Sequence, residues 1–490
     1  MFGEVPGDIN QDEAFAGYNA WTLMHHATDS FGYRMPVYLT AWGSGMNALE
    51  SYLMIPFVAL FGLKVWAIRL PMVIVGILSL VALYKMVLHF SDKKTALATL
   101  LFLAICPWHI MLSRWALESN LAPGFVLFGL FFFIKGLDKP KFLIPSALCY
   151  GLSLYAYATI WTAVPFIILA SVLYAIWTRS LKMNRYLWIS LGILVVLALP
   201  LALFLMVNKG IIAEIRLPFL SIPKLVYLRD SEISFRGIPE NIANLWNILR
   251  TQSDGLPWNQ IRGYGIFYEA TLPFFIVGFI ASLRYAILDI RHRKLGLNVF
   301  VLIWLLAGFS IGALIHVNIN RVNLLFIPMV ILAMQGILLT FNYIHPKTII
   351  IPLVAYLLCF AGFEKNYFTI YKEAIGHNFC NGLEKAVELA SSKAPDNTRI
   401  VVDPGTSYPR ILFFGKVDLE SYLSTVKYTN FPSAFLYVSS FDKYIFTDRI
   451  IPSRHNHVYL LENKDDRSSL LRKLGYQVKI SGDYVVGYKD

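Results

Sequence analysis

Residues 186–207 read YLWISLGILVVLALPLALFLMV, a run of 22 residues without a charged side chain. An α-helix of roughly 17–25 apolar residues is long enough to cross the hydrocarbon core of a bilayer. Lipid offers no hydrogen-bond partner to the backbone, so such a run is expected to be a helix and not a strand. The stretch therefore predicts a membrane-spanning helix.

Runs of this kind recur along most of the chain. We predict about ten spans, near residues 64–88, 95–112, 119–137, 141–158, 162–178, 186–207, 272–290, 297–317, 322–341 and 348–363. The composition agrees, because 57% of the 490 residues are hydrophobic and 15% are charged, whereas soluble proteins carry about a quarter of charged residues. The sequence predicts a polytopic α-helical membrane protein with about ten visible transmembrane helices.

The net charge of +12 is explained by membrane topology and not by binding to nucleic acid. Basic residues fall in alternate short loops, at 93–94, 135–141, 179–185, 291–294 and 347. Such loops are cytoplasmic under the positive-inside rule. The four cysteines are scattered without a metal-binding spacing, so we predict no metal site from them.

The same parity places residues 1–63 on the outer side of the membrane. They contain no apolar segment that would carry them across. We expect that a first span is missing from this sequence. The alternative is that the first segment translocates with the helix that follows it.

The chain divides into five predicted segments. These are an outer loop with interfacial helices and an acidic motif (1–63), an N-terminal transmembrane bundle (64–207), a long outer loop (208–271), C-terminal transmembrane helices (272–363) and a small extracytoplasmic α/β domain (364–490). The first interfacial helix is predicted near 10–26, with Phe15, Tyr18, Trp21 and Met24 on its apolar stripe and Asn19 off it.

The last segment shows a mixture of helix and strand patterns. Residues 381–393 read as a helix with Leu383, Ala386, Val387 and Ala390 on one face. Further elements are predicted as a strand at 399–402, a helix at 465–474 and a hairpin of 476–480 with 484–488 around Gly482.

Two adjacent carboxylates, Asp12 and Glu13, open the first interfacial helix. Their position has a purely structural explanation, because Asn10 and Glu13 have the spacing of a capping box and Asp12 complements the helix dipole. A catalytic role for the pair is equally compatible with the local pattern.

Charged residues also stand at the outer ends of three spans. Arg114 and Glu118 are four residues apart, which is the spacing of an ion pair on one helix face, although ionisable groups at span ends also mark substrate pathways. Arg321 stands alone at an outer span end, where its side chain could reach the lipid headgroups or equally bind a phosphate.

Several of these stretches resemble a known family. The run from Asn10 to Tyr18, the residues Ile68 to Pro71, and Pro107 to His109 together with Ser113 and Arg114 are similar to the GT-C glycosyltransferases that use a sugar on a lipid phosphate. The closer group comprises the protein O-mannosyltransferases and the bacterial aminoarabinose transferases of lipid A. The resemblance covers about the first 180 residues and is weak over the C-terminal domain.

The resemblance implies a mechanism. The donor would be a sugar on a polyprenyl phosphate, and Asp12 would be the general base that deprotonates the acceptor hydroxyl in one inverting displacement. Arg114, Arg321 or an arginine of the long loop would stabilise the departing phosphate. Glu13 and Glu118 would orient hydroxyl groups or hold a divalent ion, although no metal or other cofactor is indicated.

The implied setting is the outer face of a bacterial plasma membrane, with membrane lipid around the chain and an envelope glycan, lipid or protein hydroxyl as acceptor. A transporter or lipid flippase is the main alternative. Transporters commonly place ionisable groups near the middle of the membrane and have repeated halves, and this sequence shows few such charges and no repeat. A non-catalytic scaffold that displays the C-terminal domain is a third interpretation.

Overall fold

The computed structural model describes residues 3–228, 235–395, 398–450, 457–464 and 466–489. For Pro346 it describes the backbone only. The helices in this part of the chain are α1 (Gln11–His26), α2 (Leu49–Phe61), α3 (Val65–Phe90), α4 (Lys93–Ala104), α5 (Pro107–Leu112), α6 (Glu118–Asp138), α7 (Leu143–Ser153), α8 (Ala163–Trp177), α9 (Arg185–Asn208), α10 (Ile238–Thr251), α11 (Thr271–Arg291), α12 (Leu297–Leu314), α13 (Phe326–Ile344), α14 (Ile350–Phe368), α15 (Ile370–Gly376), α16 (Leu383–Ser392), α17 (Tyr408–Gly415), α18 (Leu419–Thr425) and α19 (Arg467–Lys473). The strands are β1 (Tyr38–Leu39), β2 (Met46–Asn47), β3 (Ile215–Leu217), β4 (Leu220–Ile222), β5 (Ile400–Val402), β6 (Lys427–Tyr428), β7 (Val438–Phe441), β8 (Tyr444–Phe446), β9 (Val458–Glu462), β10 (Gln477–Ser481) and β11 (Tyr484–Tyr488).

Among the described residues, eight helical stretches are long and apolar enough to cross a membrane. They are Val65–Phe90, Glu118–Asp138, Ala158–Trp177, Arg185–Asn208, Thr271–Arg291, Leu297–Leu314, Asn323–Ile344 and Lys347–Phe368. The predicted spans near 95–112 and 141–158 contain shorter helices. The first is divided because α4 ends at Ala104 and Pro107 opens α5, where a residue without an N–H group is tolerated. The membrane fold class is confirmed, and about ten spans is an approximate count.

The chain forms two compact units. Unit 2 comprises residues 72–202 and 230–368. Within it, α11 and α13 approach closely at two glycines. A Cβ atom at Gly278 would lie 1.8 Å from the carbonyl oxygen of Leu332, and one at Gly336 would lie 1.9 Å from that of Phe274. Small residues allow such contact between membrane helices, where packing and not the hydrophobic effect drives association.

We expect Gly278→Val to separate α11 from α13 and to destabilise the protein by about 1–3 kcal/mol, as overpacking commonly does. Thermal unfolding of the purified protein in detergent measures this loss. The matched control is Gly192→Val in α9, where an added Cβ would meet no atom within 4 Å. Equal melting temperatures for the two variants would contradict the assigned packing.

Unit 1 comprises residues 1–71, 203–229 and 369–490, so both ends of the chain belong to it. Its α1 packs against both α2 and α17. Asn19, which was predicted to lie off the apolar stripe, is completely buried. Its Nδ2 donates to the carbonyl oxygen of Phe15 at 2.9 Å, and its Oδ1 accepts from the N–H of Ser30 at 2.8 Å. These bonds give the buried amide its hydrogen-bond partners. The side of α1 that carries Asn19 is therefore buried as well.

A seven-stranded sheet lies in the C-terminal part of unit 1, with the order β10-β11-β9-β5-β8-β7-β6 in the described residues. β5 runs parallel to both of its neighbours, β8 and β9, and the remaining pairs are antiparallel. The predicted α/β domain is therefore confirmed. The two strands that flank β5, namely β8 and β9, come from residues that the sequence analysis did not assign.

The elements that were predicted in this domain are present. α16 buries the four side chains that were predicted for its apolar face. β5 matches the predicted strand, and β10 pairs with β11 through a turn at Gly482, where φ is +55°. The helix predicted at 465–474 is observed over Arg467–Lys473, and residue 465 lies outside the described residues.

The segment 208–271 is not a plain loop. It contains the hairpin of β3 and β4 and the helix α10. Asn208 holds the start of the segment, because its Nδ2 donates to the carbonyl oxygen of Pro223 at 3.0 Å and its Oδ1 accepts from the N–H of Leu225 at 2.8 Å. The part up to residue 229 belongs to unit 1 and the part from residue 230 to unit 2. The predicted segment 208–271 is thus divided between the two compact units.

Candidate active site

The acidic motif forms the first turn of α1. Asn10 is the N-cap, and its Oδ1 accepts from the N–H of Asp12 at 2.9 Å. In return, the N–H of Asn10 donates to Oε2 of Glu13 at 3.0 Å. The capping box that the sequence allowed is therefore present. It fixes the carboxylate of Glu13 and the backbone of the turn that carries Asp12.

Glu13 is completely buried and forms a bidentate ion pair with Arg69 of α3, which is also completely buried. The Nε of Arg69 donates to Oε1 at 2.7 Å, and its second terminal nitrogen donates to Oε2 at 2.8 Å. Paired guanidinium and carboxylate groups of this geometry make strong, directional hydrogen bonds. Because the side chain of Glu13 has no exposed surface, it does not present an oxygen to a ligand.

Arg69 also holds the residues before the helix. Its terminal nitrogens donate to the carbonyl oxygens of Gly7 at 3.1 Å and Asp8 at 2.7 Å. The Oδ2 of Asp8 in turn accepts from the N–H groups of Gly382 at 2.6 Å and Leu383 at 3.0 Å, at the start of α16. Burial raises the pKa of Asp8, and the two N–H groups oppose that shift. The acidic loop is thereby attached both to α3 and to the C-terminal domain.

Asp12 differs from Glu13 because its side chain is only partly buried. The indole Nε1 of Trp42 donates to its Oδ1 at 3.2 Å. The ring of Trp42 is held edge-on by Phe15 at 5.2 Å and by Tyr408 of α17 at 5.6 Å between centroids. Asp12 is therefore an oriented carboxylate with remaining access, which is the arrangement a proton acceptor requires.

In unit 2, Arg114 and Glu118 do not share a helix face. Arg114 lies between α5 and α6, and Glu118 is the first residue of α6, where its charge complements the helix dipole. The alternative of an ion pair on one helix face does not apply, because the chain is not helical between the two residues. The guanidinium carbon of Arg114 lies 5.4 Å from the ring of Tyr367 and 5.3 Å from that of Phe368.

Arg321 lies in the turn before α13. Its side chain donates to the carbonyl oxygen of His316 at 3.1 Å, and its backbone N–H donates to Oδ1 of Asn318 at 2.8 Å. The Nδ2 of Asn323 donates to the carbonyl oxygen of Ser119 at 2.8 Å, which joins this turn to the start of α6. The structure thus brings the turns of Arg321 and Glu118 to the same end of unit 2.

Sequence reasoning missed the supporting residues of this site. Arg69 was noted only as part of a resembling stretch, and Trp42, Tyr408 and Asp8 received no role. Local spacing gives no signal for them, because their partners are distant in the chain. A completely buried charge on a membrane helix, as at Arg69, is nevertheless a recognisable indication of a polar partner. In the described part of the chain, no three metal-ligating side chains form a group that could hold a metal ion.

Comparison with known proteins gives the fold. Residues 49–204 match the family model described as dolichyl-phosphate-mannose-protein mannosyltransferase. The crystal structure of ArnT from Cupriavidus metallidurans in the apo state superposes with a TM-score of 0.53, at 12% identity over 98% of this chain and 93% of that chain. The chain has the GT-C fold.

Two further solved structures were found in the same comparison. ArnT from the same organism bound to undecaprenyl phosphate gives a TM-score of 0.51 at 12% identity, over 98% of this chain and 93% of that chain. An oligosaccharyltransferase of Archaeoglobus fulgidus gives 0.44 at 11% identity, over 83% and 59% of the two chains. No curated protein matches the sequence. The family model and the GT-C fold agree with the resemblance found in the sequence and with its prediction of a glycosyltransferase.

Proposed function

We propose that the protein transfers a sugar from a polyprenyl-phosphate donor to an acceptor hydroxyl, with Asp12 as the general base. The proposal rests on the different burial and partners of two adjacent carboxylates. Glu13 is buried against Arg69, whereas Asp12 is oriented by Trp42 and remains partly exposed. The ion pair fixes the start of the helix that carries Asp12.

The proposed reaction needs one general base and proceeds in one step. The carboxylate of Asp12 takes the proton of the acceptor hydroxyl as the hydroxyl oxygen attacks the anomeric carbon. The bond from that carbon to the phosphate oxygen breaks in the same step, so the configuration is inverted. Phosphate leaves readily, so the protonating carboxylic acid that glycoside hydrolysis uses is not required.

Glu13 acts as a positioning residue in this proposal. Its oxygens are occupied by Arg69 and by the N–H of Asn10, so it contributes by fixing the turn that carries Asp12. Trp42 has a similar role, because its indole N–H donates to Oδ1 of Asp12 and so orients the carboxylate.

The charged residues of unit 2 are assigned to the donor. We propose that Arg114 and Arg321 stabilise the negative charge that develops on the departing phosphate. The rings of Tyr367 and Phe368 support the guanidinium of Arg114, since cations pack favourably against aromatic faces. Glu118 is proposed to orient donor or acceptor hydroxyls. The ArnT structure with undecaprenyl phosphate supports a donor of this class.

The proposed location is the plasma membrane, with Asp12 and the C-terminal domain on the outer face. The basic loops support this orientation through the positive-inside rule. The acceptor is proposed to be an envelope glycan, lipid or protein hydroxyl.

Mass spectrometry of envelope glycans tests the proposal. Cells without the gene are expected to lack one sugar residue from one envelope component, and the wild-type gene is expected to restore it. A gene that carries Asp12→Asn is expected not to restore it. Identical envelope glycans in all three strains would contradict the proposed function.

The role of Trp42 gives a separate prediction. We expect Trp42→Phe to lower kcat about 2–10-fold with a small change in KM, because the substitution removes one hydrogen bond and keeps most of the ring packing. The control is Trp246→Phe in α10, whose side chain is 65% exposed. An unchanged kcat for Trp42→Phe would show that Asp12 does not depend on this donor.

A further inference from the structure

The loop between β5 and α17 lies at an edge of the sheet where ligands are often bound. β5 has parallel neighbours on both sides, and residues 403–407 leave from its carboxyl end to enter α17. In α/β sheets, ligands commonly occupy the crevice outside the carboxyl ends of such strands. This loop is distinct from the acidic motif.

Arg410, in the first turn of α17, is buried and has no ion-pair partner among the described residues. Its side chain is 8% exposed, and its Nε has no hydrogen-bond partner among the described residues. A buried charge is costly unless it is paired and hydrogen-bonded. The positive end of the helix dipole adds to that cost, because cations are disfavoured at a helix N-terminus.

The carboxylates at this edge have other partners. Asp403 pairs with Arg467, and Glu462 pairs with Lys464. Asp8 accepts from the N–H groups at the start of α16, as described above. Within the described residues, no ion pair neutralises Arg410.

Other polar groups converge on the same place. Ser407 is the N-cap of α17 but makes no capping bond, and its buried Oγ has no hydrogen-bond partner among the described residues. Burial raises the pKa of the Tyr484 hydroxyl, and both Arg410 and the completely buried Thr406 oppose this shift. Arg410 also opposes the rise that burial causes in the pKa of the Cys380 thiol. The guanidinium therefore faces a polar interior and not bulk solvent.

We propose that the N-terminus of α17 binds a small oxyanion of the phosphate class, held by the guanidinium of Arg410 and the hydroxyl of Ser407. An anion there would neutralise Arg410, complete the cap of α17 and interact favourably with the helix dipole. The chemistry fits inorganic phosphate, a phosphomonoester or the phosphate of a lipid headgroup. The proposal does not depend on the proposed glycosyl transfer.

The test uses the purified full chain in a neutral detergent and a phosphate-free buffer. Addition of inorganic phosphate is expected to raise the melting temperature of the wild type, because a ligand that binds only the folded state stabilises it. Arg410→Met is expected to abolish the rise and to weaken the retention of radiolabelled phosphate at least tenfold. Arg399→Met is the matched control, since Arg399 donates to the carbonyl oxygen of Asp442 elsewhere in the domain and is expected to leave the response intact.

Two further experiments distinguish free phosphate from a lipid headgroup and provide substitute variants. If a lipid headgroup is the ligand, the melting temperature is expected to rise with vesicles that contain phosphatidic acid and not with free phosphate. Vesicles of phosphatidylcholine alone are the comparison. If Arg410→Met does not fold, Arg410→Lys and Ser407→Ala replace it and are expected to weaken phosphate retention. A wild type that responds to neither source, or an Arg410→Met protein that responds like the wild type, would overturn the proposal.

Discussion

The Asp12→Asn variant is expected to transfer sugar roughly 10²–10⁴-fold more slowly than the wild type, the range that a positioned general base contributes. The amide has the shape of the carboxylate and still accepts a hydrogen bond from Trp42, but it cannot take the acceptor proton. The loss is therefore expected in kcat, with the melting temperature close to that of the wild type. Initial rates with purified protein in lipid nanodiscs measure it.

A matched control for this variant is Asp92→Asn. Asp92 caps α4 in the same way that a carboxylate caps many helices, accepting from the N–H groups of Lys94 and Thr95, and it is exposed. The same chemical change there is expected to leave the transfer rate within about twofold, because Asn caps a helix about as well as Asp does. Equal activity of the Asp12→Asn and Asp92→Asn proteins would remove Asp12 from the mechanism.

The second large effect is expected at the buried ion pair. Arg69→Met leaves the carboxylate of Glu13 buried without its partner, and loss of one partner of a buried pair costs about 3–5 kcal/mol. The variant is also expected to lose activity, because the loop of Gly7 and Asp8 is released from α3. Thermal and denaturant unfolding in detergent measure the loss of stability.

A double-mutant cycle separates this charge effect from general disruption. Glu13→Gln combined with Arg69→Met removes both charges. The double variant is expected to lose less free energy of unfolding than the sum of the losses in the two single variants. The exposed pair of Arg216 with Glu214 supplies the comparison, since Arg216→Met is expected to cost no more than about 1 kcal/mol. Strictly additive effects of the two changes at Glu13 and Arg69 would contradict the assigned coupling.

The features that could be predicted from the sequence depend on neighbouring residues. The capping box of Asn10 and Glu13 and the apolar face of α16 follow from spacings of three and four along one helix, so periodicity alone predicted them. The long apolar runs were equally clear. The divided helix near 95–112 could not be read from hydropathy, because Pro107 lies within an apolar run and either kinks a helix or begins a new one.

The supporting residues of the candidate site could not be predicted, because each acts across a long stretch of chain. Arg69 meets Glu13 from 56 positions away, and Asp8 meets Gly382 from 374 positions away. No local pattern carries such a contact. The sequence therefore predicted which residues are chemically suited to the reaction, but not that Glu13 is buried and that Asp12 alone remains accessible.

The proposed transfer can be measured in proteoliposomes that contain the purified protein, a polyprenyl-phosphate sugar labelled in the sugar and an envelope extract as acceptor. We expect the wild type to convert the donor into free polyprenyl phosphate and labelled acceptor in equal amounts, and the Asp12→Asn protein to leave the donor intact. Movement of the labelled donor across the bilayer without its cleavage, in both proteins alike, would contradict the account and identify a lipid transporter.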